Sequence, residues 1–354
     1  MSLVQTHILI VRISMYVGLF FFIFSIIVFS VIFMNRNILS LRKKRESVFV
    51  SKWQLNLVEA IHEDVHIYEK IPKRYYQTFM IMWNNFQDNL IGMEKDRLNE
   101  LFIKLNMDKV AMNMLKSRHD EDRLLATLVL GNLKYEDAVD NLLISSKDNN
   151  IHLALASIHS LVKVDQERAI DPLVGFIKAR DRYPVYKISR IIHDFNSEIV
   201  TAPLLRLIEE ASREDKPKLM LLMQEADSYA AANMARNFLM TSSDSEIISA
   251  SLKLLATFGE PKDKELIKKY LGDERSFVRM NAAKALGKVG NLSDLTYLEK
   301  LLVDFDWWVR LRSAEAIMAL PGMTKEKIIK MRDTQIDSFA VDVLNHVLYV
   351  EGAV

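Results

Sequence analysis

Asp273–Gly290 reads DERSFVRMNAAKALGKVG and Asp304–Gly322 reads DFDWWVRLRSAEAIMALPG. Laid over each other, the two stretches share an Asp, a Val-Arg pair five and six residues on, two small residues and then an apolar one. The offset is 31 residues (304 − 273), and it extends far beyond these two stretches. Leu130, Leu161, Ile192, Met223, Leu255, Leu286, Ile317 and Leu348 follow each other in steps of 31, with one step of 32. A fixed period of this size marks a stack of supersecondary units, each unable to bury its apolar face alone.

Two further series run in phase with this ladder. Four residues earlier stand Ala126, Ser157, Ile188, Leu219, Ser251, Ala282, Ser313 and Leu344. An i, i+4 pair shares one helix face, and small residues there suit a close helix approach. Twelve residues later stand Leu142, Leu173, Leu204, Ala235, Ile267, Leu298 and Ile329, on a second helix. Gly259, Gly287, Gly290, Pro321 and Gly322 lie between the two as breakers. The expected fold is all-α, an α-solenoid of seven helix pairs over residues 118–333 with a closing helix in 334–354.

The shared frame resembles the HEAT repeat, especially the short bacterial form also found in phycobilisome lyases. The first unit carries Arg123, Ala126, Leu130 and Gly131 where the sixth has Arg279, Ala282, Leu286 and Gly287. Units three and four keep only the apolar ladder. The resemblance implies an armadillo-like scaffold that binds partner proteins and implies no catalysis. It also implies that Asp273, Arg279, Asp304 and Arg310 pair along the stack as a structural ladder. The lyase likeness lies in the repeat and leaves open a lyase-like or ligand-binding reading.

Composition narrows the function. Charged residues make up 26% of 354 and the formal net charge is +1, so nothing drives the chain globally toward nucleic acid. Cysteine is absent, which removes disulfides, thiolate metal sites and thiol nucleophiles. No Walker loop, dinucleotide fingerprint or nucleophile elbow occurs, and no cofactor is expected.

The N-terminal region is different material. Residues 13–34, ISMYVGLFFFIFSIIVFSVIFM, carry no charge. As a helix they extend about 33 Å, enough for a hydrocarbon core of about 30 Å. They are expected to form a single-pass signal anchor behind a short N-terminus, residues 1–12. Residues 35–46 are basic, with Arg42, Lys43, Lys44 and Arg45 at the membrane surface. The positive-inside rule then puts the N-terminus outside and the solenoid in the cytoplasm, at a plasma membrane of bacterial inner-membrane type. Residues 47–117, rich in Trp and Tyr, read as a helical cap, with helices at Val48–Tyr68, Lys73–Ile91 and Met93–Leu115.

Candidate sites are few. Arg206, Lys269 and Lys300 stand two residues past the second-helix ladder, as a basic stripe for a partner or as solvated charges. Trp308 takes the place of Phe277 and is expected in the core. Trp307 takes that of Ser276, as an exposed partner anchor or as packing between units. His62-Glu63-Asp64-Val65-His66 fits H-E-x-x-H, the pattern of a zinc metalloprotease in which the His residues hold metal and Glu63 is the base. Asp64 departs from that pattern, and Pro72 ends the helix soon after. The expected work is to hold or regulate a membrane-bound protein complex, such as a polysaccharide synthase or secretion component.

Overall fold

The computed structural model describes residues 3–62, 69–87, 89–179 and 185–350. The helices are α1 (Leu3–His62), α2 (Tyr76–Gln87), α3 (Met93–Lys104), α4 (Met107–Met114), α5 (Asp120–Asn132), α6 (Val139–Ser145) and α7 (Ile151–Val164). They continue with α8 (Gln166–Lys178), α9 (Val185–His193), α10 (Ser197–Glu210), α11 (Lys216–Ala226), α12 (Ser228–Thr241) and α13 (Ser245–Phe258). The last six are α14 (Lys264–Lys268), α15 (Ser276–Val289), α16 (Leu295–Glu299), α17 (Trp307–Ala319), α18 (Lys325–Thr334) and α19 (Ser338–Val350). Among the described residues there is no strand. The chain divides into two compact units, Met1–Tyr135 and Glu136–Val354, with the division inside the first sequence repeat.

In the first unit α1 is one helix of 60 residues. The sequence reading placed an apolar helix, a basic segment and a new helix near Val48, and the structure runs a single helix through all three. The reason is local: from Leu19 to Ile71 the chain has neither Gly nor Pro, and helix propensity is indifferent to a change of surroundings. Phe22–Met34 are exposed, whereas Phe49, Trp53, Leu57 and Ala60 are buried at helical spacing against α2 and α3. The rings there form a chain: Phe49 on Tyr75 at 4.3 Å, Trp53 on Phe79 at 5.1 Å and Trp83 on Phe102 at 4.3 Å. Trp83 also donates its indole N–H to the Leu98 carbonyl at 3.1 Å. Arg97 donates to the Ile61 carbonyl at 3.1 Å, which satisfies one of the orphan acceptors at the end of α1.

Met93–Leu115 is two helices and not one, because Asn106 takes φ 57° between α3 and α4. Asn tolerates that left-handed conformation, and one such residue is enough to stop a helix. Helix α5 packs on α2 and α4, and Asn132 donates to Asn84 at 2.7 Å.

The second unit is a solenoid. Helices α7, α9, α11, α13, α15, α17 and α19 pack side by side in chain order, each with its partner helix alternating between them. All eight ladder residues, Leu130 to Leu348, are 0% exposed. At about 25 cal/mol per Å² of apolar area, such positions supply the main cohesion of a stack. Three of the small residues one turn earlier are serines with the same bond: Ser157, Ser251 and Ser313 each donate to the carbonyl four residues back at 2.8 Å. The hydroxyl is thus satisfied inside its own helix and the surface stays small. Gly287 shows why smallness matters, since a Cβ there would stand 2.7 Å from the Cα and Cβ of Ala316 on the next helix.

A capping series accompanies the ladder. Asp165, Asn196 and Asp227 stand 31 residues apart, and each accepts an N–H at the start of α8, α10 or α12. Glu260 and Asn291 open the next two second helices, which start as 3-10 turns stapled by capping boxes to Asp263 and Asp294. In the seventh unit the buried residue of the second helix is Ile328, while the expected Ile329 is half-buried. The turn through Gly322, at φ 82°, and the Thr324 cap set α18 one residue out of register.

Candidate interaction surface

Two polar systems tie the late repeats together. The first is the Asp-Arg frame. Arg279 of α15 makes a two-pronged pair with Asp304 of the following repeat, both contacts at 2.7 Å, and its other nitrogen donates to the Asp273 carbonyl at 2.8 Å. Such fork-on-fork pairing fixes orientation as well as distance. The hydrogen bonds to Asp304 raise the Arg279 guanidinium above its ordinary value.

The frame does not continue as a ladder in either direction. Asp273 turns to Arg275, with contacts at 2.8 and 2.7 Å, because the position one repeat before Arg279 is Ile248. The Arg275 hydrogen bond holds the Asp273 carboxyl below its usual range. Arg310 donates to the Asp304 carbonyl at 2.7 Å and lies 4.8 Å from the Phe339 ring centre, since no Asp stands one repeat beyond Asp304. Of the four frame residues, then, Arg279 and Asp304 pair through their side chains.

The second system was not visible to sequence reasoning. Asp263 is clasped by Arg236 of α12 at 2.7 and 3.0 Å, and Asp294 by Lys268 of α14 at 2.6 Å and by Lys264 at 3.3 Å. Both carboxylates are buried and also accept a backbone N–H, from Glu260 and from Asn291. Burial alone would raise these carboxyls, but the Arg236 and Lys268 bonds with the backbone donors prevail and hold both below their usual range. The signal lay in the spacing: Asp263 and Asp294 are 31 apart and Arg236 and Lys268 are 32 apart, the steps of the ladder itself.

The start of α17 carries exposed aromatic surface. Trp307 and Trp308 meet edge to face with ring centres 4.7 Å apart, and Phe305 precedes them, fully exposed. Trp308 is 54% exposed, which corrects its expected place in the core. Its counterpart Phe277 is itself only half-buried, and the larger indole stays outside. Trp307, the candidate anchor, is 44% exposed. Asp306 caps the helix by accepting from the Trp308 N–H at 2.8 Å. The Ser276 hydroxyl is the main cause holding the Asp306 carboxyl low. Phe305 lines a cleft of about 730 Å³ together with Asp273, Glu274, Ser276, Arg279, Asp304 and Asp306, among others.

The remaining candidates are surface residues. Arg206 on α10, Lys269 after α14 and Lys300 after α16 are exposed, as are Arg42, Lys43, Lys44 and Arg45 on α1. Glu63 and His66 lie outside the described residues, as does the side chain of His62. Among the described residues no group of three or more His, Asp or Glu is placed to hold a metal. Two histidines meet polar neighbours from the next repeat: His159 meets Asp194, just after α9, at 2.6 Å and His152 meets Lys187 of α9 at 3.2 Å. Burial lowers His159 despite the opposing bond to Asp194. Other clefts lie at α6 and α8, about 780 Å³ with Arg168, Asp171 and Phe176, and at α10 and α12, about 570 Å³ with Lys216 and Tyr229.

Residues 232–318 match the family model for HEAT repeats. Among solved structures, a Kap121p mutant is similar over 77% of this chain and 34% of its own, with 16% identity and a TM-score of 0.48. Kap121p bound to Pho4p is similar over 78% and 35%, with 15% identity and a TM-score of 0.46. The complex of CpcE and CpcF of phycocyanin lyase from Nostoc sp. is similar over 70% and 94%, with 16% identity and a TM-score of 0.31. The chain thus spans about a third of the length of Kap121p. No curated protein matches it.

Proposed function

We propose that this HEAT-repeat protein is a membrane-tethered scaffold that holds a protein partner at the cytoplasmic face of a bacterial inner membrane. The observation that carries the reading is the exposure of Phe22–Met34: an apolar run on α1 that no other part of the described residues covers. An exposed apolar surface of that length has a bilayer as its natural solvent. The basic residues Arg42–Arg45 follow within the same helix, where they set orientation and meet anionic headgroups. From Met34 to Phe49, where burial begins, the helix advances about 22 Å without a break, a stiff spacer between bilayer and cap.

The work itself is binding. A stack of helix pairs offers extended surface, and its distinctive polar residues are spent on joining repeats. A membrane enzyme or secretion component, such as a polysaccharide synthase, is the kind of partner such a tether would keep in reach. The test combines alkaline extraction of membranes, protease protection and mild-detergent isolation with mass identification of what accompanies the chain. The reading expects the chain to resist extraction, its repeats to be cut only from the cytoplasmic side and a membrane complex to co-isolate. Recovery of the intact chain in the soluble fraction would overturn the tether.

A further inference from the structure

We propose that Trp307 and Trp308, with Phe305 and the carboxylates around them, are the seat for a basic segment of a protein partner. The inference deepens the scaffold reading and rests on it.

Exposure is the first ground. Large exposed aromatics are the side chains that most often anchor partners. Here three stand within four residues: Phe305 lines an open cleft, and Trp307 and Trp308 follow it at the start of α17.

Charge decides what comes. The cleft brings Asp273, Glu274, Asp304 and Asp306 together with one cationic liner, Arg279. Arg275 answers Asp273 and Arg279 answers Asp304, which leaves Glu274 and Asp306 in excess. An anionic lipid surface or an acidic peptide would be repelled there, and a lysine or arginine would be drawn in.

Ring occupancy is the third ground. Elsewhere in the second unit, three rings carry a cation from the same chain. Lys216 lies 5.7 Å from the Phe238 ring centre, Lys268 lies 4.7 Å from Tyr297 and Arg310 lies 4.8 Å from Phe339. Among the described residues no Lys or Arg lies over Trp307 or Trp308, whose ring contact is with each other. Indole is the ring that binds cations best, and here it carries none, close in sequence to Asp306, whose carboxylate is hydrogen-bonded but has no Lys or Arg paired with it among the described residues. A partner's arginine or lysine supplies what the fold leaves out.

The protein provides its own reporter. It has four tryptophans, and Trp53 and Trp83 are buried in the first unit, so changes in emission on ligand addition come from Trp307 and Trp308. The full chain in mild detergent is titrated with a synthetic peptide of alternating arginine and glycine, with its glutamate counterpart, and with anionic vesicles. The arginine peptide should shift the emission and bind, more weakly as salt rises, while the glutamate peptide and the vesicles leave it unchanged. By a tag on the peptide, Trp307→Ala/Trp308→Ala should weaken binding at least about tenfold, with circular dichroism and melting unchanged. Glu274→Lys, which keeps both rings, should weaken it by about threefold or more. Equal binding of the two peptides, undiminished binding by the double variant, or a response to vesicles alone would overturn the seat. Failure of the scaffold reading looks different: no membrane complex co-isolates, whatever the peptide does.

Discussion

The repeats from α12 to α17 and those from α7 to α11 share one apolar ladder and are joined by different polar chemistry. In the late region the links are buried: Arg236 to Asp263, Lys268 to Asp294 and Arg279 to Asp304, with acidic partners at most 8% exposed. In the middle region most lie in water, as with Arg168 to Asp140, Lys178 to Glu210 and His193 to Glu225, while His159 to Asp194 is half-buried. The ladder residues Ile192 and Met223 are as fully buried as Leu286 and Ile317. Apolar periodicity therefore defines the stack, while buried ion pairs decide how firmly each repeat is held in register with the next. The clasped end is also the end that carries the exposed indoles, so a docking surface there has a rigid base.

The largest effect should come from opening a clasp. Asp294→Ala removes the buried carboxylate that Lys268 and Lys264 share, leaves Lys268 only the exposed Glu265 and should cost about 3 kcal/mol or more, read by chemical denaturation. Lys178→Ala, at the same kind of inter-repeat position in the middle, is the control that sharpens the contrast. Next in size are the ladder truncations Leu286→Ala and Met223→Ala, at about 2 to 4 kcal/mol each. Near-equal losses would show that the ladder works alike in both regions, and a much smaller loss at Met223 would break that half of the comparison.

Acid should separate the regions in order. Burial keeps His159 below its ordinary value, so the unfolded chain binds that proton more readily. Its contribution is whole above about pH 6.5 and is lost as pH falls below that. Asp263 and Asp294 are also held low, so their contribution is whole above about pH 4 and is lost only as pH falls further. Amides of α7 and α9 should therefore lose protection between about pH 6.5 and 5, while those of α15 hold to about pH 4. Simultaneous loss would contradict the assignment. The smallest effect belongs to Lys178→Ala, which should leave the denaturation midpoint almost unmoved, because its pair with Glu210 lies in water.

Much of this was legible in the sequence, for a physical reason. A stack repeats one burial problem, so its solution recurs at fixed spacing, and the eight ladder positions are all fully buried. The closing helix α19 follows from the same count. What stayed hidden depends on what faces what across repeats. Arg236 and Lys268 look like any solvated lysine or arginine until the fold sets a buried carboxylate opposite them. Trp308 was misplaced because homology of position says nothing of whether a bigger ring fits. The unbroken α1 was missed because a change from apolar to basic sequence suggests a boundary that the backbone does not need. The Asn106 break lay within a run whose apolar spacing continues on both sides.

The central claim, that one ladder is held in two ways, is tested most directly by native-state hydrogen exchange of the full chain, resolved by helix. The account predicts that α13, α15 and α17 open only at the highest free energies, and that α9 and α11 open sub-globally well below them. Equal opening energies along the whole array, or a middle more protected than the clasped repeats, would contradict it.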